Sequence, residues 1–527
     1  MPWLTLLIFL PLVGIPILVA WRGMGDAQAK WLTLVVMVAV FLVSLGVLGA
    51  FDPESSGYQL VEQVDWVASA GLSYLVGVDG FSIWLVVLTA FVFPVGLIAA
   101  WSTEHRVRSF MALSLLLEAV VLGSFCALDL LLFFVFFEAL LVPMFLIIGV
   151  WGSSRRVYAS VKFFLYTMLG SAFILLGTLY LWFQTSQQFG QGSFDLRQME
   201  QLSLGVTAQR WLFVAFFVGF AVKVPIFPLH TWLPDAHTEA PTKGSIILAA
   251  LLLKAGPYGL LRFNLDLFPE ASRFFADAIG VLAVIGIVYG AVVAMMQTDV
   301  KRLVAYSSVS HMGFVILGIF TLTPEGMSGA VIQMVNHGLA TGLLFFAIGM
   351  LYERIHTREM SEMGGLVHVT PWIAGTFLVA TLSSIGLPGL NNFVGEFLVV
   401  LGAFTADRWL GAIAVTGVVL GAIYMLWAYQ RTFQGPVRER LRGIRDMVPL
   451  EFAAVIPVVA AMLFIGAYPK VVLDRINPTS DGVVRWVETV EVDQAGLPGG
   501  LRAEIQPDYR PPAGVVAAAG ASEGTEP

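Results

Sequence analysis

Fourteen apolar runs recur along the chain, near 2–21, 31–51, 80–101, 109–128, 130–151, 161–184, 211–233, 244–263, 274–296, 302–322, 327–351, 372–404, 409–430 and 450–468. About 20 predominantly apolar residues cross the hydrocarbon core of a bilayer as a helix. No water reaches peptide N–H and C=O groups at that depth, so each run is confined to a helix that satisfies its own backbone. Short loops join the runs, apart from an irregular segment at 52–79 and a polar one at 185–209. The expected fold is an all-α polytopic membrane protein of about 14 transmembrane helices. The N-terminus lacks a basic leader and reads as a first span, with no cleaved signal.

The basic residues test this division. Connections after odd-numbered spans hold 17 of the 29 Lys and Arg, Lys243 and Lys301 among them, whereas connections after even-numbered spans hold five: Arg197, Arg210, Arg262, Arg273 and Arg408. Cytoplasmic loops carry the excess of Lys and Arg, so both termini are expected to be extracytoplasmic, most simply in a bacterial plasma membrane. The net charge of −7 is scattered without a basic face, which argues against nucleic acid and leaves membrane lipid as the surrounding phase. Cys126, the single cysteine, excludes disulfides, cysteine zinc sites and iron–sulfur clusters within this chain. The last stretch, PPAGVVAAAGASEGTEP, has few large apolar residues and reads as a disordered tail.

Two runs are interrupted. In the seventh, Lys223 stands near mid-membrane depth, where a lysine costs about 2.5–3.5 kcal/mol. Pro225 and Pro228 have no N–H to give the carbonyls of Ala221 and Val224, so polar backbone is freed beside the lysine. The twelfth run is too long for one straight span and contains SIGLPGLNN at 384–392, a turn composition, with Glu396 just beyond. Paired interruptions five spans apart point to two inverted five-helix repeats, spans 4–8 and 9–13, with discontinuous helices 7 and 12. The division by domain is then 1–108, 109–263, 264–433, 434–469 and a tail at 470–527.

Seven titratable residues lie more than about a turn inside the runs: Glu118, Glu138, Lys223, Lys254, His311, His337 and Glu396. They fall at similar depth on many spans, which suits a lateral relay. Glu138 and Lys223 are opposite in charge and each is costly alone, so pairing is expected, whether as a proton switch or as an inert ion pair. Lys254 precedes Gly256 and Pro257, which loosens the helix around it. His311 and His337 suit either proton transfer or a hydrogen-bonded structural role; two histidines could also ligate haem, against which stand the lack of a second pair and the surrounding Lys and Glu. Glu118 reads as a helper or a packing contact. His230 and His237 lie on the cytoplasmic continuation of the first break, where they could feed protons or cap a helix. Lys254 and Glu396 are expected to form an acid–base pair: protonating the glutamate removes the lysine's counter-charge and promotes its discharge.

The run KVPIFPLHTWLPDAHTEAPT at 223–242, with FFEALLVPMFLIIG at 136–149 and GLPGLNNFVGEF at 386–397, resembles the antiporter-like membrane subunits of proton-pumping NADH:quinone oxidoreductase, respiratory complex I. The resemblance covers all fourteen spans. It is shared with large subunits of multi-component Na⁺/H⁺ antiporters, the alternative reading, and with membrane subunits of energy-converting hydrogenases. Most members carry Lys in the broken twelfth helix; Glu396 places this chain in the branch with Glu there. The resemblance implies that Glu138 and Lys223 are a switching pair, Lys254 a central relay and Glu396 the terminal group, and His311 and His337 match polar positions on the connecting axis. It also implies no cofactor in this chain, with FMN, iron–sulfur clusters and quinone held by partner subunits, and two other antiporter-like chains as neighbours.

Overall fold

A computed structural model describes residues 2–21 and 23–489. Each of the fourteen apolar runs contains helix, and two of them are broken by non-helical segments. Helices α1 (Trp3–Ala20) and α2 (Asp26–Ala50) precede a hairpin of β1 (Gln59–Val67) and β2 (Leu72–Val78), and α3 (Ile83–Ile98) follows it. Next come α4 (Val107–Cys126), α5 (Leu130–Ala139), α6 (Leu141–Trp151), α7 (Arg156–Phe189) and the single turn α8 (Leu196–Met199). The seventh run is divided into α9 (Val206–Lys223) and α10 (Trp232–Glu239). The eighth is α11 (Thr242–Leu265). After α12 (Pro269–Met295), α13 (Val300–Phe320) and α14 (Pro324–Ile355), the twelfth run is divided into α15 (Pro371–Ser384) and α16 (Asn391–Ala406). Helices α17 (Arg408–Phe433), α18 (Pro449–Ala467) and α19 (Lys470–Thr489) complete the described chain. Among the described residues, 12 helices are long and apolar enough to cross a membrane, counting α5 and α6 together; α3, α15 and α16 are shorter apolar helices.

Local chemistry sets the ends. Asp299 caps α13 by accepting from the N–H groups of Lys301 at 2.8 Å and Arg302 at 3.1 Å. Asp407 caps α17 through Trp409 at 2.7 Å. Pro269, Pro324, Pro371 and Pro449 occupy first turns, where a missing N–H costs nothing. Helix α11 is buried from Lys243 to its end and α14 from Gly326 to Leu351, with α13 nearly so, whereas α1, α2, α17 and α18 are about one-third buried over their apolar spans. The core therefore lies along α11, α13 and α14. Small residues let these backbones approach: a Cβ added at Gly290 of α12 would stand 2.7 Å from the Ser310 nitrogen of α13.

Two features depart from the sequence reading. Residues 52–79 are not irregular throughout: Val64 pairs with Tyr74 and Asp65 with Ser73 in the β1–β2 hairpin, so the all-α architecture carries one small sheet. The alternation Gln63-Val64-Asp65-Trp66 was its signal. The segment assigned to a tail begins with α19, which is docked on the bundle: Trp486 Nε1 donates to the Asp266 carbonyl at 3.0 Å, and Trp84 Nε1 to that of Val472 at 3.2 Å. Residues 490–527, including the stretch read as disordered, lie outside the described residues.

Candidate proton relay

The break after α9 reroutes its backbone bonds around Lys223. Ile226 N–H donates to the Ala221 carbonyl at 2.9 Å, five residues back, which leaves the Val222 carbonyl for Trp232 Nε1 at 2.8 Å. The carbonyl orphaned by Pro225 thus finds a partner within the break. Lys223 ends α9, 3% exposed, and its Nζ donates to the Phe137 carbonyl at 3.0 Å. Glu138 Oε1 lies 3.9 Å away, and Nζ stands 3.7 Å from the centroid of the Phe137 ring. The expected pair is present as a loose contact: the lysine is held by backbone and ring, and the facing Glu138 Oε1 is buried without a hydrogen bond of its own. Gly256 of α11 packs against this break, since a Cβ there would meet Val224 Cγ2 at 2.7 Å.

Lys254 owes its anchor to helix winding. Residues Leu248–Leu252 form a π-turn in which Leu253 N–H reaches the Leu248 carbonyl, five residues back. In a regular helix it would bond to Ala249. The Ala249 carbonyl is released, and Lys254 Nζ takes it at 2.5 Å. A second π-turn at Leu260–Leu265 follows Pro257.

From Lys254 the contacts run sideways. Nζ lies 2.7 Å from His337 Nδ1 on α14; the His337 and His311 ring centroids are 5.6 Å apart; and His311 Nδ1 on α13 lies 3.0 Å from Glu396 Oε1 on α16, close enough for an ion pair but not aligned as a hydrogen bond. Ser384 Oγ faces His311 Nε2 at 3.2 Å, and Gln333 Nε2 donates to Glu396 Oε1 at 3.2 Å. All four ionisable residues are buried. This corrects one expectation: Lys254 and Glu396 are not a contacting acid–base pair, because both histidines stand between them. Depth along each span was readable from sequence; the direction each side chain takes around its helix was not.

The second break is held by amides. Asn336 Nδ2 donates to the Asn391 carbonyl at 2.7 Å and Asn391 Nδ2 to that of Asn336 at 3.1 Å, while Ser383 Oγ bonds Asn391 Oδ1 at 2.7 Å. These bonds join both half-helices to α14.

Glu118 is buried, and neither carboxylate oxygen has a hydrogen-bond partner. His237 is buried, stacked on Phe345 with centroids 4.9 Å apart and both ring nitrogens unpartnered; His230 stacks on Phe227 at 5.8 Å. Neither histidine acts as a helix cap among the described contacts. Three residues counted as loop cations prove to be buried. Lys243 is the second residue of α11. Lys301 donates to the Ala240 carbonyl at 2.5 Å. Arg262 pairs with Asp79 at 2.7 Å and Asp266 at 3.7 Å. Their positions at the edges of apolar runs hid them. Among the described residues, no group of three His, Cys, Asp or Glu is placed to hold a metal ion.

The family model of the NADH:quinone oxidoreductase/Mrp antiporter transmembrane region matches residues 127–421, which contain both breaks and six of the seven candidate residues. The chain is 47% identical over 506 residues to NADH-quinone oxidoreductase subunit M of Rhodobacter capsulatus, covering 94% of this chain and 98% of that protein. It is similar to a chain of respiratory complex I from Thermus thermophilus, at 33% identity and TM-score 0.84 over 92% of this chain and 99% of that one. A chain of the Mrp complex from Dietzia sp. shares the fold, with TM-score 0.79 at 22% identity over 92% of this chain and 97% of that one.

Proposed function

Because the chain belongs to the NADH:quinone oxidoreductase/Mrp antiporter membrane family, as a proton-translocating subunit of the complex I subunit M branch, we propose that its relay consists of Glu138, Lys223, Lys254, His337, His311 and Glu396. The observation that carries this reading is the line of buried contacts from Lys254 through His337 and His311 to Glu396. Its partners are the other subunits of complex I. The two other antiporter-like chains are the proposed neighbours, and FMN, iron–sulfur clusters and quinone are assigned to subunits outside this chain. The membrane is that of a bacterium, with both termini on its extracytoplasmic side. Spans 4–8 and 9–13 are proposed as inverted repeats, each contributing one broken helix. The Na⁺/H⁺ antiporter alternative is supported only at the level of fold, and Glu396 favours the complex I branch.

Each residue has a proton task. While Glu138 stays near, its negative charge supports the Lys223 ammonium; when it withdraws, the lysine tends to give up its proton, since burial opposes an unpaired charge. Lys254, once protonated, donates to His337 Nδ1, which places the hydrogen of the neutral ring on Nε2. Proton transfer into Nδ1 then makes an imidazolium that can release from Nε2, an atom without a protein partner, toward His311. His311 delivers to Glu396, where Gln333 holds the acceptor oxygen. Glu118 is placed on the input side of the sequence.

The test is the Lys223→Ala variant of the complex in proteoliposomes. Alanine removes the carrier without burying a new charge and leaves Glu138 to protonate. Assembly and electron transfer should persist while proton pumping falls to a small fraction; undiminished pumping at normal quinone-reductase activity would remove Lys223 from the relay.

A further inference from the structure

A cavity of about 250 Å³ opens on the Lys- and Arg-rich face of the bundle, lined by Glu239, Thr242, Lys301, Glu353 and Arg358 among others. Helix α11 starts in its wall, at Thr242, and Lys243 is the next residue inward. Lys243 is wholly buried. Its stem passes α3 so closely that a Cβ at Gly96 would stand 3.5 Å from Lys243 Cγ, and its Nζ lies 5.6 Å from the Phe110 ring centroid on α4 without any hydrogen-bond partner in the protein. Glu118, about two turns further along α4, is buried with both carboxylate oxygens unpartnered. Among the described residues, each of these two is the charge set against the other.

An inert ion pair in this protein looks different. Arg262 and Asp79 close to 2.7 Å, as buried partners must if mutual attraction is to offset desolvation. Lys243 and Glu118 leave all their polar atoms unbonded to protein, and the ammonium stands at the positive end of the α11 dipole, where it is least favoured. Buried polar atoms left unpaired by protein along one helix face are suited to hydrogen bonding through water, and thus to passing protons.

We propose that Glu118 and Lys243 form a proton-loading site that takes protons from this cavity and passes them inward toward Lys254. The Lys243 ammonium gives a proton to the Glu118 carboxylate, breaking an N–H bond and forming an O–H bond. Hydronium in the cavity then reprotonates the Lys243 amine and leaves water. Glu118, again beside an ammonium, releases its proton to water on the Lys254 side, which restores both groups with one proton moved. The inference rests on the reading that this chain carries protons.

The experiment is proton uptake per electron by the reconstituted complex, with assembly yield and thermal midpoint measured beside it. Lys243→Arg keeps the charge and its electrostatic partner but cannot release a proton at accessible pH. It should assemble and lose most of the uptake; uptake at the wild-type ratio overturns the proposal. The double variant Lys243→Met/Glu118→Gln removes both charges. For a structural pair that change restores stability and pumping together, and for a loading site it restores stability alone. Wild-type pumping by the double variant therefore also overturns it. Lys223→Ala is run in parallel: if that variant pumps normally the proton-carrying reading itself fails, whereas loss there with normal pumping in the Lys243 variants defeats only this site.

Discussion

Glu396 rests against the backbone of Gly386: a Cβ added at that glycine would stand 2.8 Å from the carboxylate Oε2. The glycine belongs to the break between α15 and α16 and has φ of +71°, a conformation that costs a non-glycine residue about 1–2 kcal/mol. Gly389, three residues on, has φ of +93° with nothing within 4 Å of an added Cβ.

These two glycines separate backbone strain from crowding of the carboxylate. Gly386→Ala and Gly389→Ala should each lower the stability of the complex by a similar small amount. Only Gly386→Ala should displace Glu396 from His311 and cut pumping severalfold. Thermal midpoints and proton-to-electron ratios of the two variants check this, and equal pumping losses would mean that the break responds to strain alone.

Glu396→Gln should abolish most pumping while leaving assembly intact. The amide keeps the volume, and its oxygen can still accept from Gln333, but it can no longer take a proton from His311. Glu396→Lys restores a titratable group that is neutral when empty and cationic when loaded. It should retain part of the activity, weakened because an ammonium now faces an imidazole. Proteoliposome measurements at matched quinone-reductase activity decide between them; a Gln variant that pumps normally would make Glu396 structural.

Lys254→Arg tests whether the central cation must discharge. Guanidinium stays charged at any accessible pH, so the variant should hold His337 permanently beside a cation and block transfer through it. Electron transfer coupled to pumping should fall at least as far as in His337→Gln, and the double variant should be no worse than either alone, since both interrupt one line. Additive losses would place the two residues on separate routes.

The arrangement of basic residues predicts that a reporter fused after Arg445 and one fused at the C-terminus lie on opposite sides of the membrane. A same-side result would overturn the topology and, with it, the assignment of the Glu239–Arg358 cavity to the input face.

What was legible in the sequence follows from energetics. Lys223, Lys254, Glu138 and Glu396 stand out because a charge inside an apolar run is expensive, and Pro225, Pro228 and Gly386 mark the breaks because backbone rules are local. Lys243 and Arg262 sit where runs meet loops, so counting by hydropathy assigned them to water. The order Lys254, His337, His311, Glu396 depends on how α11, α13, α14 and α16 are turned toward one another, which no single run encodes. Helix α19 was missed for another reason: Pro478 and six charged side chains keep its average polarity high, and only its periodicity marks the face that covers the bundle.

The carbonyl released by the π-turn at Leu248–Leu252 has a consequence for mutational scanning. Lys254 is anchored there by a backbone atom, so no side-chain replacement at Ala249 can delete the contact, and a substitution survey would score that position as a matter of size only. The element would be exposed instead by changes in register. Removing one residue among Ala250–Leu252 should return the turn to regular winding, set Leu253 N–H four positions from the Leu248 carbonyl, give the Ala249 carbonyl to the Lys254 backbone N–H and leave the lysine side chain without its acceptor, so this part of the proton line is inherited as a residue count.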